Sequence, residues 1–339
     1  MALRDALIDG LPDALLDGWQ RGFPLQREPY AAIAAALAAQ GVRGASETAV
    51  IEACERLRDD GVLGRIGGLF AAGSGGAGML VALRVPPQRL DEAAARVSAE
   101  PGVNHNYERE HGWNLWFVAH AGDAAALARM LDAIERDTGV PMLRLPMRGA
   151  YRIDLGFGLR GRVADAVTTT HGEAPAPIAR ADWPLAACVE AGLSLRPRPF
   201  DVWADELGLP CDAVLARLRG WLADGTLRRF GLVVRHHELG FDANAMAVFA
   251  PDESQIDRCG AALAREAGVT LAYRRASAPG WPYTLYAMLH GRDRDSVRAA
   301  AAGVIARAGL GAVPHEMLFS VRRFKQTGAR RFRELADVG

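Results

Sequence analysis

The sequence predicts an α+β fold of two tandem modules, each a winged helix-turn-helix followed by a ferredoxin-like βαββαβ domain. Three observations predict it. First, the chain repeats itself at half length. VIEACERLRDDGVLGRIGGLF from Val50 lines up with VLARLRGWLADGTLRRFGLVV from Val214, GVNHNYER from Gly102 with GVTLAYRR from Gly268, and NLWFVAHAG from Asn114 with TLYAMLHGR from Thr284. The separation stays near 165 to 170 residues, which marks one duplicated or fused unit and not an array of short repeats. Second, each copy passes from helical periodicity to alternating strands and helices. Third, the stretch from Leu155 to Asp182 between the copies is rich in Gly, Pro, Thr and Ala, as a linker should be. The boundaries that follow are a winged helix over 1–72, a ferredoxin-like domain over 73–155 and a linker over 156–181. A second winged helix covers 182–236, and a second ferredoxin-like domain with a C-terminal tail covers 237–339.

REPYAAIAAALAAQ is a helix, GVRGAS a turn, and SETAVIEACERLRDDG a second helix with Ser46 as its N-cap and Gly61 as its stop. VLGRIGGLF is a short wing. RPFDVWADELG, PCDAVLARLRGWLADG and TLRRFGLVV repeat these pieces. In the later part of the first copy, GMLVALRV reads as a strand and PQRLDEAAARVSAE as a helix. VNHNYERE and WNLWFVAHA are strands, DAAALARMLDAIERDTG is a helix, and PMLRLPM is a last strand. The second copy repeats that order from Ala243 to Lys325.

Composition narrows the function. Forty basic residues balance forty acidic ones, so no global field draws the chain to nucleic acid or to an anionic membrane. Lys325 is the only lysine, and an arginine-rich chain has planar forks available for carboxylates. Cys54, Cys188, Cys211 and Cys259 form no CxxC pair, which argues against a zinc site or a disulfide framework and fits a reducing cytoplasm. Carboxylates interrupt the N-terminal MALRDALIDGLPDALL, which is unlike a signal peptide, and no apolar run approaches a membrane span.

The architecture is similar to that of Lrp/AsnC-type transcription regulators, but the recognition helices argue against DNA. SETAVIEACERLRDD carries three glutamates and two aspartates against two arginines, and phosphates would repel it. The second helix balances Arg217 and Arg219 against Asp212 and Asp224.

The unusual side chains gather on the sheet halves. Strict alternation puts Val103, His105, Tyr107 and Arg109 on one face of their strand, with Asn104, Asn106 and Glu108 on the other. RRFGLVVRHHELG brings together Arg228, Arg229, Arg235, His236 and His237, and YRRASAPGWPYTLYAMLHG holds Arg274, Arg275, Trp281, Tyr283 and His290. His120 and His315, each without a charged cluster beside it, read as ordinary core histidines. No paired-histidine metal motif appears, although one imidazole suffices as an axial ligand to an iron macrocycle. GSGGAG, from Gly73, precedes a strand and lacks the Lys-Ser/Thr of a phosphate cradle, so it reads as a loop.

RIGGLF, GVNHNYEREH and NLWFV resemble the D-type subunit of the siroheme decarboxylases. RRFGLVVRHHELGFDANAMAVF and WPYTLYAMLHG resemble its L-type partner, so nearly the whole chain looks like a D–L fusion. The resemblance implies removal of carbon dioxide from the acetate arms at carbons 12 and 18 of siroheme, giving 12,18-didecarboxysiroheme for heme d1. It implies no separate cofactor, because the iron tetrapyrrole is the substrate. His105, His236 and His237 are then the candidate proton donors, with His290 in reserve. Arg109, Arg229, Arg235 and Arg275 would hold carboxylate arms, and Tyr107, Trp116, Trp281 and Tyr283 would flank the ring. Homologous decarboxylase subunits are candidate partners, as is a second copy of the fusion. The rival readings are a tetrapyrrole-responsive regulator and a non-catalytic siroheme carrier.

Overall fold

The computed structural model describes residues 10–71, 73–153, 176–234 and 243–332. Most of the linker and the RHHELG segment lie outside them. In the first copy, α1 (Leu11–Gly18), α2 (Pro29–Ala39) and α3 (Glu47–Asp59) precede β1 (Leu63–Phe70). The Ser46 hydroxyl caps α3 by accepting from the Ala49 amide at 3.2 Å, and Gly61 takes φ +78° just past its end, as the sequence predicts. Next come β2 (Ala77–Leu83), α4 (Leu90–Ala99), β3 (Val103–Arg109), β4 (Leu115–Ala121), α5 (Ala124–Thr138) and β5 (Met142–Ile153). The second copy runs α6 (Trp183–Ala191), α7 (Pro199–Leu207), α8 (Cys211–Ala223), β6 (Leu227–Val234) and β7 (Ala243–Phe249). It ends with α9 (Ile256–Arg265), β8 (Val269–Arg275), β9 (Leu285–Gly291), α10 (Arg294–Arg307) and β10 (His315–Gln326).

Like parts associate with like, giving two compact units. One holds both winged helices. Its wings pair with each other: β1 and β6 are antiparallel, with Ile66 opposite Leu232 and Gly67 opposite Gly231. Gly231 is needed because a Cβ there would stand 2.4 Å from the Trp19 carbonyl oxygen. The segment after α1 can therefore cross the wing, where Leu232 donates to Trp19 O at 2.8 Å.

The other unit holds both ferredoxin-like domains, closed into an eight-stranded barrel in the order β10-β3-β4-β2-β5-β8-β9-β7. The long last strand of each copy makes the closure. β5 pairs with β8 of the other copy, and β10 pairs with both β7 and β3. Helices α4 and α5 cover one half of the outer surface, bringing Val97 and Ile134 into one core with Val81 and Phe117, and α9 and α10 cover the other, bringing Leu263 and Val304 into one core with Ala247. The interior is filled by Leu80, Trp116, Leu145, Met246, Tyr273, Trp281, Tyr286 and Leu318, as a barrel of this size requires. Among the described residues no helix is long and apolar enough to cross a membrane, and no cluster of metal-ligating side chains occurs.

Candidate functional site

A β-bulge sets up the polar part of the barrel interior. Register slips between Val103 and His105 as β3 runs along β4. Val103 therefore packs under the helices, not beside His105 as strict alternation predicts, while His105, Tyr107 and Arg109 turn inward. Asn106 faces α4, where its amide donates to Ala94 O at 3.1 Å and Ser98 Oγ at 3.0 Å. By the same alternation β4 directs Trp116, Val118 and His120 inward, β8 directs Leu271, Tyr273 and Arg275, and β9 directs Tyr286, Met288 and His290.

Two lines of neighbours, one from each half of the barrel, carry the polar groups. In one, His120 on β4 stands opposite Gly78 on β2. One step beyond the Met79–Pro146 pair, Met147 on β5 stands opposite Arg275 on β8. In the other, His290 stands opposite Asn244 and Arg109 opposite Ser320, whose hydroxyl donates to Asn244 Oδ1 at 2.7 Å. β4 and β9 run the same way in this all-antiparallel barrel, so both histidines lie toward one end. The His120 ring lies against Gly78, where a Cβ would sit 2.9 Å from its Cδ2. The two arginines match as well. Arg109 donates to Leu318 O at 2.9 Å and Arg275 to Leu145 O at 2.7 Å, each across the seam between the copies.

Burial governs the electrostatics. His105 is pushed down to about 4 by burial, and His120 to about 3 by burial together with Arg331, His105 and Arg275. Arg109 is lowered to about 10, and Arg275 is lowered as well, both chiefly by desolvation. Neither arginine forms an ion pair among the described residues, and the Nε of each is buried without a partner. His120 Nδ1 is likewise buried without one. The imidazoles are thus neutral at pH 7 in the free protein and not poised near working pH. Desolvation alone lowers His105, and for His120 the nearby Arg331 and Arg275 add to it.

This has a consequence for acid stability. An imidazole whose folded pKa is lowered takes its proton more readily in the unfolded chain. Its contribution is complete above the ordinary value of 6.5, and is lost as pH falls from there to about 4 for His105 and about 3 for His120. Urea midpoints of the parent should therefore drop steeply below pH 6.5, and those of the double variant His105→Gln, His120→Gln should drop less. Superimposable profiles would contradict the assignment.

The remaining residues singled out in the sequence are placed as follows. Tyr107 lies under Arg109, whose guanidinium carbon is 5.8 Å from the ring centroid. Trp116 and Trp281 are 2% and 1% exposed, with ring centroids 5.2 Å apart, so they build the barrel core rather than a free stacking platform. Tyr283 donates to Glu316 Oε1 at 2.6 Å. Glu316 Oε2 lies 3.0 Å from His111 Nε2, and His111 Nδ1 accepts from the Trp113 amide at 2.9 Å. His290 Nδ1 is 3.2 Å from Thr270 Oγ1. Because that hydroxyl donates to Met288 O, the histidine tautomer protonated at Nδ1 satisfies the pair. Arg229 lies in the winged-helix unit, buried, and donates to Gln20 O at 2.7 Å, which helps hold the α1 segment on the wing. Arg235, His236 and His237 lie outside the described residues. His120, read from the sequence as an ordinary core histidine, stands inward on the strand next to His105. Its signal was the repeat itself, since His120 aligns with His290 in the second copy.

Comparison with known proteins agrees with this architecture. Residues 74–151 and 238–325 match the AsnC-like ligand binding domain, and residues 13–63 match the siroheme decarboxylase NirDL-like HTH domain. The siroheme decarboxylase NirDL subunit of Paracoccus denitrificans is 43% identical over 95% of this chain and 97% of its own length. From Stutzerimonas stutzeri, a separate NirD subunit is 50% identical and a separate NirL subunit 42% identical, each over 45% of this chain. The crystal structure of a siroheme decarboxylase NirDL in complex with an iron-uroporphyrin III analogue superposes with a TM-score of 0.68 at 26% identity, covering 95% of this chain and 94% of that one. With a fused relative matched almost end to end and separate subunits each matched over about half its length, the chain belongs to the siroheme decarboxylase family in its fused NirD–NirL form.

Proposed function

We propose that this chain decarboxylates siroheme, removing carbon dioxide from the acetate arms at carbons 12 and 18 to give 12,18-didecarboxysiroheme on the route to heme d1. One observation carries the reading: two half-buried imidazoles and two buried guanidiniums, without carboxylate partners among the described residues, share one barrel interior in a chain of this family. An arm that brings a carboxylate to these groups supplies the missing anion. Arg109 and Arg275 hold arms by charge-assisted hydrogen bonds. The carboxylate also raises the neighbouring imidazoles, so that His105 or His120 takes up a proton when substrate docks.

A proton placed on the macrocycle beside the arm makes the ring an electron sink. The bond between the arm's methylene and its carboxylate then breaks, carbon dioxide leaves, and the electron pair moves into the ring. A second proton on the exocyclic methylene gives the methyl group, and the ring gives back the first. The net change is one proton consumed per carbon dioxide released, with no oxidant or reductant. The iron belongs to the substrate, and the reading needs no separate cofactor. His236, His237 and Arg235 remain the donors and anchor proposed from the second copy, and separate decarboxylase subunits of the NirD, NirL, NirG and NirH types remain candidate partners.

Anaerobic incubation with siroheme tests this. The expected product is lighter by one or two molecules of carbon dioxide. Siroheme returned unchanged, with tight retention of a promoter fragment, would instead identify a regulator, and siroheme bound but unchanged would identify a carrier. The proton step has its own readout. Titration calorimetry with ferric uroporphyrin III, in buffers of different ionisation enthalpy at pH 6, should show net proton uptake. It should disappear in the His105→Gln, His120→Gln variant, and uptake that persists there would exclude these imidazoles as the acceptors.

A further inference from the structure

The two seams that close the barrel are related by the repeat, yet their outer rims differ. At the β5–β8 seam an open cleft of about 410 Å³ is lined by Arg148, Arg274, Arg275, Ser277, Thr284 and Glu253. Arg274 is paired with Glu253. Arg148 is exposed and has no ion pair among the described residues. Arg275 is 7% exposed with its Nε unpartnered, and Thr284 Oγ1 is also buried without a partner. The cleft therefore presents cations and a hydroxyl donor whose hydrogen bonds the protein itself does not complete. At the β10–β3 seam the repeat places Val321 where Arg148 stands, Glu108 where Arg274 stands and Asn114 where Thr284 stands. There Glu108 is paired with Arg322 at 3.1 Å, and Asn114 is satisfied by the Val85 backbone at 2.9 Å and 2.8 Å. The β5–β8 rim keeps an exposed arginine without an ion pair among the described residues, whereas the matching rim positions of the β10–β3 seam hold a valine and polar groups already satisfied.

We propose that the β5–β8 cleft is a carboxylate-binding subsite that receives one acidic arm of the macrocycle, with Arg148 and Thr284 as specificity-determining residues beside Arg275. The inference rests on the reading of the substrate as a polycarboxylate tetrapyrrole. The β10–β3 seam has Val321 and Asn114 at the positions of Arg148 and Thr284, so an arm seated in the β5–β8 cleft gives a nearly twofold barrel a single orientation for an unsymmetrical ligand. A free small acid such as acetate or bicarbonate shares this chemistry, and the test separates the two sources.

Binding of ferric uroporphyrin III is followed by quenching of tryptophan fluorescence in the full chain. Arg148→Gln and Thr284→Val should each raise Kd by about five- to twenty-fold, the loss expected for a charge-assisted or buried hydrogen bond. Arg148→Lys should recover part of it, and Arg136→Gln, the same charge loss at an exposed position of α5, should leave Kd unchanged. In turnover, Arg148→Gln should raise KM with little change in kcat. The proposal is overturned if Arg136→Gln weakens binding as much as Arg148→Gln, because the effect is then one of net charge. It is also overturned if neither cleft variant changes Kd, or if they alter only the ability of bicarbonate to compete. The quenching titration needs no chemistry, so a parent protein that releases no carbon dioxide would count against the decarboxylase reading and leave this test standing.

Discussion

Replacing His105 or His120 with alanine should lower siroheme turnover by about a hundred-fold or more, the range that a positioned proton donor supplies. The two residues face the interior from neighbouring strands, and His105 is among the charges that depress His120. They act as a linked pair, so the double variant should lose little more than the worse single one. Affinity for ferric uroporphyrin III should change by no more than a few-fold in any of the three, because the anchoring falls to the arginines. That split between kcat and binding separates proton transfer from simple collapse of the pocket. Parent-like turnover in both alanine variants would remove these imidazoles from the mechanism and shift the chemistry to His236 and His237.

Much of the fold was legible because it repeats. A motif seen twice fixes helix, wing and strand order more securely than either copy alone, and Ser46 and Gly61 mark the ends of α3 where propensity and caps agree. How the copies join was not legible. Pairing of β5 with β8 and of β10 with β3 joins strands far apart in sequence, and the strand read in PMLRLPM stops at Met147 where β5 runs on to Ile153. The bulge at Val103 was hidden for another reason. Strict alternation assumes an even pleat, and one extra residue moves Val103 to the helix side. The histidines show the same limit at the level of chemistry. Judged alone, His120 looks bland, and only the barrel brings it into line with Arg275 of the other copy. Trp116 and Trp281 have the composition of a ring-binding surface, but a closed eight-stranded barrel needs large side chains in its middle and takes them for its core.

Changing Arg109 or Arg275 to methionine should weaken binding of ferric uroporphyrin III by about thirty-fold or more per site, while the stability of the free protein stays within about 1 kcal/mol of the parent or rises. The two effects differ in direction for one physical reason. Each guanidinium is buried, donates to a backbone carbonyl at 2.9 or 2.7 Å (Arg275 also hydrogen-bonds Tyr273), and has its pKa lowered by desolvation with no carboxylate among the described residues to offset it. In the free protein that is a cost, because a cation has left water without gaining a counter-charge. Methionine keeps most of the volume and the apolar contacts with Tyr107 or Tyr273, and gives up one hydrogen bond to Leu318 or Leu145 in exchange for relief from desolvation. In the proposed complex, carboxylate arms would supply the counter-charge at low dielectric, and the same guanidinium should become a large source of affinity. An arginine that served only to brace the seam would behave differently, since its removal would lower the urea midpoint clearly and leave the ligand Kd nearly untouched. Measuring both quantities on both variants decides between a scaffold bond and a binding charge for each half of the barrel separately.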